Sequence, residues 1–148
     1  MTDVFEAATG DGQPPDFSAR AADVRAAEVR AALDGLLQIR RVTNTAPAAW
    51  ELNRMVRAVA LALEAAGIPP SAVDASGART ATGYRVRASD RARMVCVDWL
   101  GPPGGGAAQE EEFRLAECAG ALAALGWEAL MYRGPRKRRF LEVEPARS

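Results

Sequence analysis

At 148 residues the chain has room for one domain with a real core, and 49% apolar against 26% charged residues excludes a coil-like or low-complexity protein. Nineteen basic and nineteen acidic residues leave no net charge, so coating a nucleic acid through bulk charge is excluded and any polyanion contact must come from a local patch. Histidine is absent, which removes the usual general base near neutral pH and the commonest metal ligand, and with them any Ser-His-Asp or Cys-His site.

Met1 to Glu6 has neither a basic n-region nor an apolar h-region, and no stretch approaches the roughly 18 apolar residues of a membrane span; the expectation is a cytoplasmic protein that does not engage membranes. Arginine supplies every basic charge but Lys137, and alanine is abundant, a bias of high-GC bacterial genomes that makes single arginines poor signals. Residues 1–16 carry four acids, no basic residue and two Gly/Pro clusters, which predicts a disordered acidic tail ahead of a single α+β domain over 17–148.

The first predicted helix covers 18–41, with Ala26, Val29, Leu33 and Leu36 on one face, widened by Ala32 and Ile39. Asn44 or Thr45 is the expected cap of a second helix over 46–66, striped by Leu52, Val56, Val59 and Leu63 with Trp50 and Met55 beside them, and Gly67-Ile-Pro-Pro70 ends it. Together they predict an antiparallel helical hairpin over 18–66. A loop to about Ala81 follows. The period then shifts towards two, predicting strands at 82–88 and 93–100 around the turn Ser89-Asp90-Arg91-Ala92. Gly101 to Gly106 forbids regular structure, a third helix covers 107–125 with Leu115, Cys118 and Leu122 on its stripe, and strands at 127–133 and 138–144 close the chain. The ββαββ unit over 82–144 predicts a four-stranded antiparallel sheet packed with helices.

The candidate chemistry is sparse. Cys96 and Cys118 are two thiols without an activating base and are expected reduced and buried, while the glycine cluster lacks the Gly-Lys-[Ser/Thr] ending of a phosphate loop. Glu110, Glu111 and Glu112 point in different directions on a helix and suit its N-terminus better than a cation. These features predict no enzyme, no metal and no cofactor. The most distinctive run is Arg133-Gly-Pro-Arg-Lys-Arg-Arg139, where Arg133, Arg136, Lys137, Arg138 and Arg139 gather at a hairpin tip between Tyr132 and Phe140. Arg85, Arg87, Arg91 and Arg93 make a second basic hairpin, so both tips are candidate nucleic-acid contacts, and they form one patch if they lie at the same edge of the sheet. The leading expectation is nevertheless a non-catalytic protein-interaction module, a homodimeric adaptor or accessory protein. Ala32, Ile39 and Met55 broaden the helical stripes beyond one seam and are the candidate interface, and Trp50, Trp99 and Trp127 suit either core or interface.

Overall fold

The computed structural model describes residues 5–13 and 18–146. Helix α1 spans Ala19–Thr43, α2 Ala49–Asn53, α3 Met55–Ala65 and α4 Ala107–Ala123; strands β1 to β6 span Ala72–Val73, Arg79–Ala81, Gly83–Ala88, Val95–Leu100, Trp127–Arg133 and Arg139–Pro145. The architecture is α+β, a long N-terminal helix paired with α2 and α3, followed by a four-stranded antiparallel sheet in the order β3-β4-β6-β5 with helices packed on one face.

Period-two alternation decides the faces of that sheet. Tyr84, Val86, Val95, Val97, Trp99, Leu141 and Val143 point inward, and with Trp127 they meet Leu115, Cys118 and Leu122 of α4 and the sheet side of α3 in one core. Helix α3 is buried almost all round, from Ala58 through Leu63, and its far side receives Val29 and Leu36 of α1 around Leu61. The layers therefore run sheet, then α3 and α4, then α1.

The second predicted helix is in fact two, broken at Arg54, whose φ of −137° and ψ of 55° are not helical. Its start also differs from expectation. Asn44 ends α1 in the left-handed region at φ 56°, and the cap of α2 is Ala48, whose N–H donates to Glu51 Oε2 at 2.7 Å. Glu51 is fully buried and takes both arms of Arg40, at 2.9 and 2.7 Å, so one carboxylate joins the end of α1 to the start of α2. The expected loop to Ala81 contains the small antiparallel pair β1 and β2, turned by Asp74, whose Oδ1 accepts from the N–H groups of Ser76 and Ala78.

Residues 5–13 are not the loose tail that their composition suggests; the remaining residues of that predicted tail lie outside the described residues. Thr9 C=O accepts from Val86 N–H at 2.7 Å, Gly12 C=O accepts from Val73 N–H at 2.9 Å, and Tyr84 donates its hydroxyl to Ala8 C=O at 2.7 Å. Gly10 permits this approach. Its φ is +101°, and a Cβ there would collide with Tyr84 O and Arg85 Cα. With Pro69 and Ser71, which bond both backbone groups of Tyr84, the segment covers the outer edge of β3.

The Arg40–Glu51 pair gives a stability test. Removing one member of a buried pair strands the other, so Glu51→Ala lowers unfolding free energy by about 3–5 kcal/mol. Glu117→Ala, which breaks the solvated i,i+3 pair with Arg114, changes it by less than about 1 kcal/mol. Urea unfolding monitored by far-UV circular dichroism measures both.

Candidate functional site

The basic run at 133–139 is partly a structural clasp. Arg138 Nε sits 2.5 Å from Glu111 Oε2 and its Nη2 donates to Trp99 C=O at 2.8 Å, while Glu111 Oε1 accepts from the N–H of Arg139 at 2.6 Å. Glu111 is buried at 3% exposure, so this carboxylate ties the N-terminal part of α4 to the β5–β6 hairpin. Its neighbours take part: Glu110 accepts from Trp99 Nε1 at 3.0 Å, and Glu112 lies 3.5 Å from Arg139. The acidic triplet thus serves tertiary bonds more than the helix terminus.

Arg85 and Arg87 are engaged as well. Their Nε groups lie 3.0 and 2.8 Å from Asp98 Oδ2, and Arg85 also approaches Asp11 at 3.8 Å. Arg91, Arg93, Arg133, Arg136 and Lys137 have no ion-pair or hydrogen-bond partner for their side chains among the described residues and stand exposed. The strand register separates them: Val95 pairs with Val143 and Asp98 with Phe140, which puts the β3–β4 turn and the β5–β6 turn at opposite ends of the sheet. The two basic tips do not merge into one patch.

Tyr132 and Phe140 are directly paired on the sheet face away from the helices, ring centroids 6.0 Å apart, and the Arg87 guanidinium lies 5.8 Å from the Phe140 centroid. Leu130 joins them on that face, and Leu130 and Tyr132 remain 48% and 43% exposed.

The more telling feature is the outer edge of β5. Ala146 N–H to Gly126 O and Gly134 N–H to Arg138 O show that the even-numbered residues of β5 bond β6, so Ala129 and Met131 direct N–H and C=O away from the sheet. Among the described residues nothing accepts or donates to those groups, in contrast to the covered edge of β3. The carboxylate of Glu128 and the hydroxyl of Tyr132 are likewise without a partner among the described residues. On α4, Arg114 lies over the Trp99 ring at 5.4 Å, so the flank towards β5 is the opposite one, where Ala116 and Ala123 are exposed.

Of the expected helical interface, Met55 is a correction: as the first residue of α3, after the break at Arg54, it is 7% exposed inside the main core. Ala32 packs half-buried against the Val29–Leu36–Leu61 cluster, and Ile39 is exposed. Trp99 and Trp127 are core residues, and Trp50 is half-buried in the smaller cluster. The β5 edge escaped the sequence reading because strand order is a long-range property. Its only local trace is a strand apolar on both faces, with Leu130 opposite Ala129 and Met131.

Both thiols are buried and free. Burial pushes Cys96 up from its ordinary value, only partly offset by Arg87, and pushes Cys118 up to about 12. No group of three or more His, Cys, Asp or Glu side chains that could hold a metal occurs among the described residues, and none of their helices is long and apolar enough to cross a membrane.

The thiols set an alkaline limit on stability. An unfolded Cys118 loses its proton near 9.0 while the folded one holds it to about 12, so this contribution is complete below pH 9 and disappears as pH rises between those values. Thermal midpoints therefore fall above pH 9, Cys118→Ala flattens that limb, and Cys118 does not react with a disulfide reagent at pH 8 until urea opens the core. No family model, no curated protein and no solved structure matches this chain.

Proposed function

We propose that this chain is a non-catalytic protein-interaction module that works as a homodimer, with the free edge of β5 as its docking strand. The observation that carries the reading is the set of backbone groups at Ala129 and Met131 that have no partner among the described residues, flanked on the open face by exposed Leu130 and Tyr132. A long apolar edge with no bulge, proline or covering segment is a template for another strand.

A second copy of β5 is a self-complementary occupant. Antiparallel pairing about a two-fold axis at Leu130 brings Ala129 against Met131 of the second copy as a hydrogen-bonded pair, which matches the outward-facing groups. Leu130 then meets its own equivalent. Glu128 faces Tyr132 of the second copy, giving the unpartnered carboxylate a hydroxyl donor. The same axis sets the two α4 helices side by side, and the small side chains of Ala116 and Ala123 let them approach closely.

Nucleic-acid contact is the second reading, favoured by the Tyr132–Phe140 pair beside free Arg133, Arg136 and Lys137. It is the weaker of the two because Arg85, Arg87, Arg138 and Arg139 already hold carboxylates. Three uncompensated cations at that end predict a slope of log affinity against log salt no steeper than about −2 for a single strand, measured by fluorescence anisotropy.

Light scattering coupled to size exclusion tests the leading reading. The expected mass is twice the 15.7 kDa of one chain. Leu130→Lys puts a charge at the centre of the pairing without touching the core and yields a folded monomer, whereas Ile39→Arg on α1 leaves the dimer intact. A wild-type monomer at all accessible concentrations sinks self-pairing; a dimer lost in Ile39→Arg and kept in Leu130→Lys moves the interface to α1.

A further inference from the structure

Arg57 is anomalous among the half-buried arginines. Every other half-buried arginine of the described residues has a carboxylate within ion-pairing distance, from Arg25 on Glu64 to Arg139 on Glu112. Arg57 has none. Its guanidinium lies 5.7 Å from the Phe5 ring centroid and 5.3 Å from that of Trp50, and its one hydrogen bond is a long 3.5 Å approach to Phe5 C=O. Partial burial of a cation without a counter-charge is costly, and two aromatic faces offset part of that cost.

Two further donors nearby are also unused. Arg54, three residues earlier at the break between α2 and α3, has no ion-pair or hydrogen-bond partner for its side chain among the described residues, and Trp50 Nε1 is buried without an acceptor. These residues, with Asn53, wall a groove of about 600 Å³ whose floor is Ala32, Leu36 and Ile39 of α1. Among the described residues no acidic side chain lines it. On the other side of Arg54 and Arg57 runs the N-terminal segment, where Asp11 is engaged by Arg79 and Arg85 and Glu6 makes no ion pair with either arginine.

We propose that this groove binds a small amphipathic carboxylate. Its apolar body, of aromatic-ring size, lies on Ala32, Leu36, Ile39 and the face of Trp50. Its carboxylate is taken by Arg54 and Arg57, since the planar guanidinium fork matches two carboxylate oxygens. The volume falls in the range of small-molecule sites, and the pattern of apolar walls with a few convergent donors is the usual one. The site is far in sequence from β5 and independent of self-pairing.

Isothermal titration with 1-naphthaleneacetate, the neutral alcohol 1-naphthaleneethanol and acetate tests it. The expected result is binding of naphthaleneacetate, with the alcohol and acetate each at least about tenfold weaker. Arg57→Met loses about tenfold or more and Arg57→Lys falls in between. Arg54→Gln, at an exposed position, weakens binding even if Arg57→Met fails to fold. In the ¹H–¹⁵N spectrum the Trp50 indole signal shifts on titration. Leu130→Lys binds like wild type, so a failure of β5 pairing leaves this result readable. Absence of binding at about 1 mM, or equal affinity for the alcohol, overturns the proposal.

Discussion

Helix α3 presents apolar side chains in every direction, with Met55, Val59 and Leu63 towards the sheet core and Leu61 away from it. In water such a helix is stable only when covered on all sides. The sheet covers one side, α4 another, and α1 with Phe5 the third, so each large element has its place set by what α3 needs covered. The alanines at 58, 60 and 62 keep those neighbours close. Because α1 only has to seal one stripe, Val29 and Leu36 are its buried residues and the rest of its surface stays open. The groove beside Arg54 and Arg57 is a consequence of that partial cover.

Eight arginines of the described residues lie within ion-pairing distance of carboxylates of the same chain. Glu51 and Glu111 are buried acceptors that join elements distant in the chain or at sharp turns, each taking an arginine and a backbone N–H. Asp98 holds two arginines across the β3–β4 pair. A buried pair of this kind adds little net stability against an apolar alternative, but it penalises wrong arrangements by several kcal/mol, on the order of 3–5 when one partner is lost. The arginines at 85, 87, 138 and 139 therefore act as joints, and the unpaired cations of the two basic hairpins are divided between opposite ends of the sheet. That division is the physical reason a polyanion surface is less favoured than a docking edge.

The two sheet edges are treated differently. At β3, Thr9, Pro69 and Ser71 bond outward backbone groups of Tyr84 and Val86, and Gly10, where a Cβ would collide with the strand, allows the contact. At β5 the corresponding groups face solvent beside exposed Leu130 and Tyr132. An edge left open in a fold that elsewhere covers its edge is what motivates a partner strand, and it needs no catalytic group.

The local periodicities were enough to predict the class of fold. Stripes at Val29 and Leu36, at Val59 and Leu63 and at Leu115, Cys118 and Leu122 mark helices, and the alternation at Tyr84 and Val86, Val95 to Trp99 and Leu141 and Val143 marks strands, because a helix or strand shows its buried face at a fixed spacing. The hairpin turns were legible for the same reason. What the tertiary structure decided depends on residues far apart in the chain: the order β3-β4-β6-β5, the opposite placement of the two basic tips, the seating of residues 5–13 along β3 and the capture of Arg138 by Glu111. A charge run looks alike whether it is solvated or paired, and an edge strand looks like a central one, since neither partner choice nor strand order leaves a local period. The proposed function rests on those long-range choices, above all on which backbone groups of β5 have no partner among the described residues.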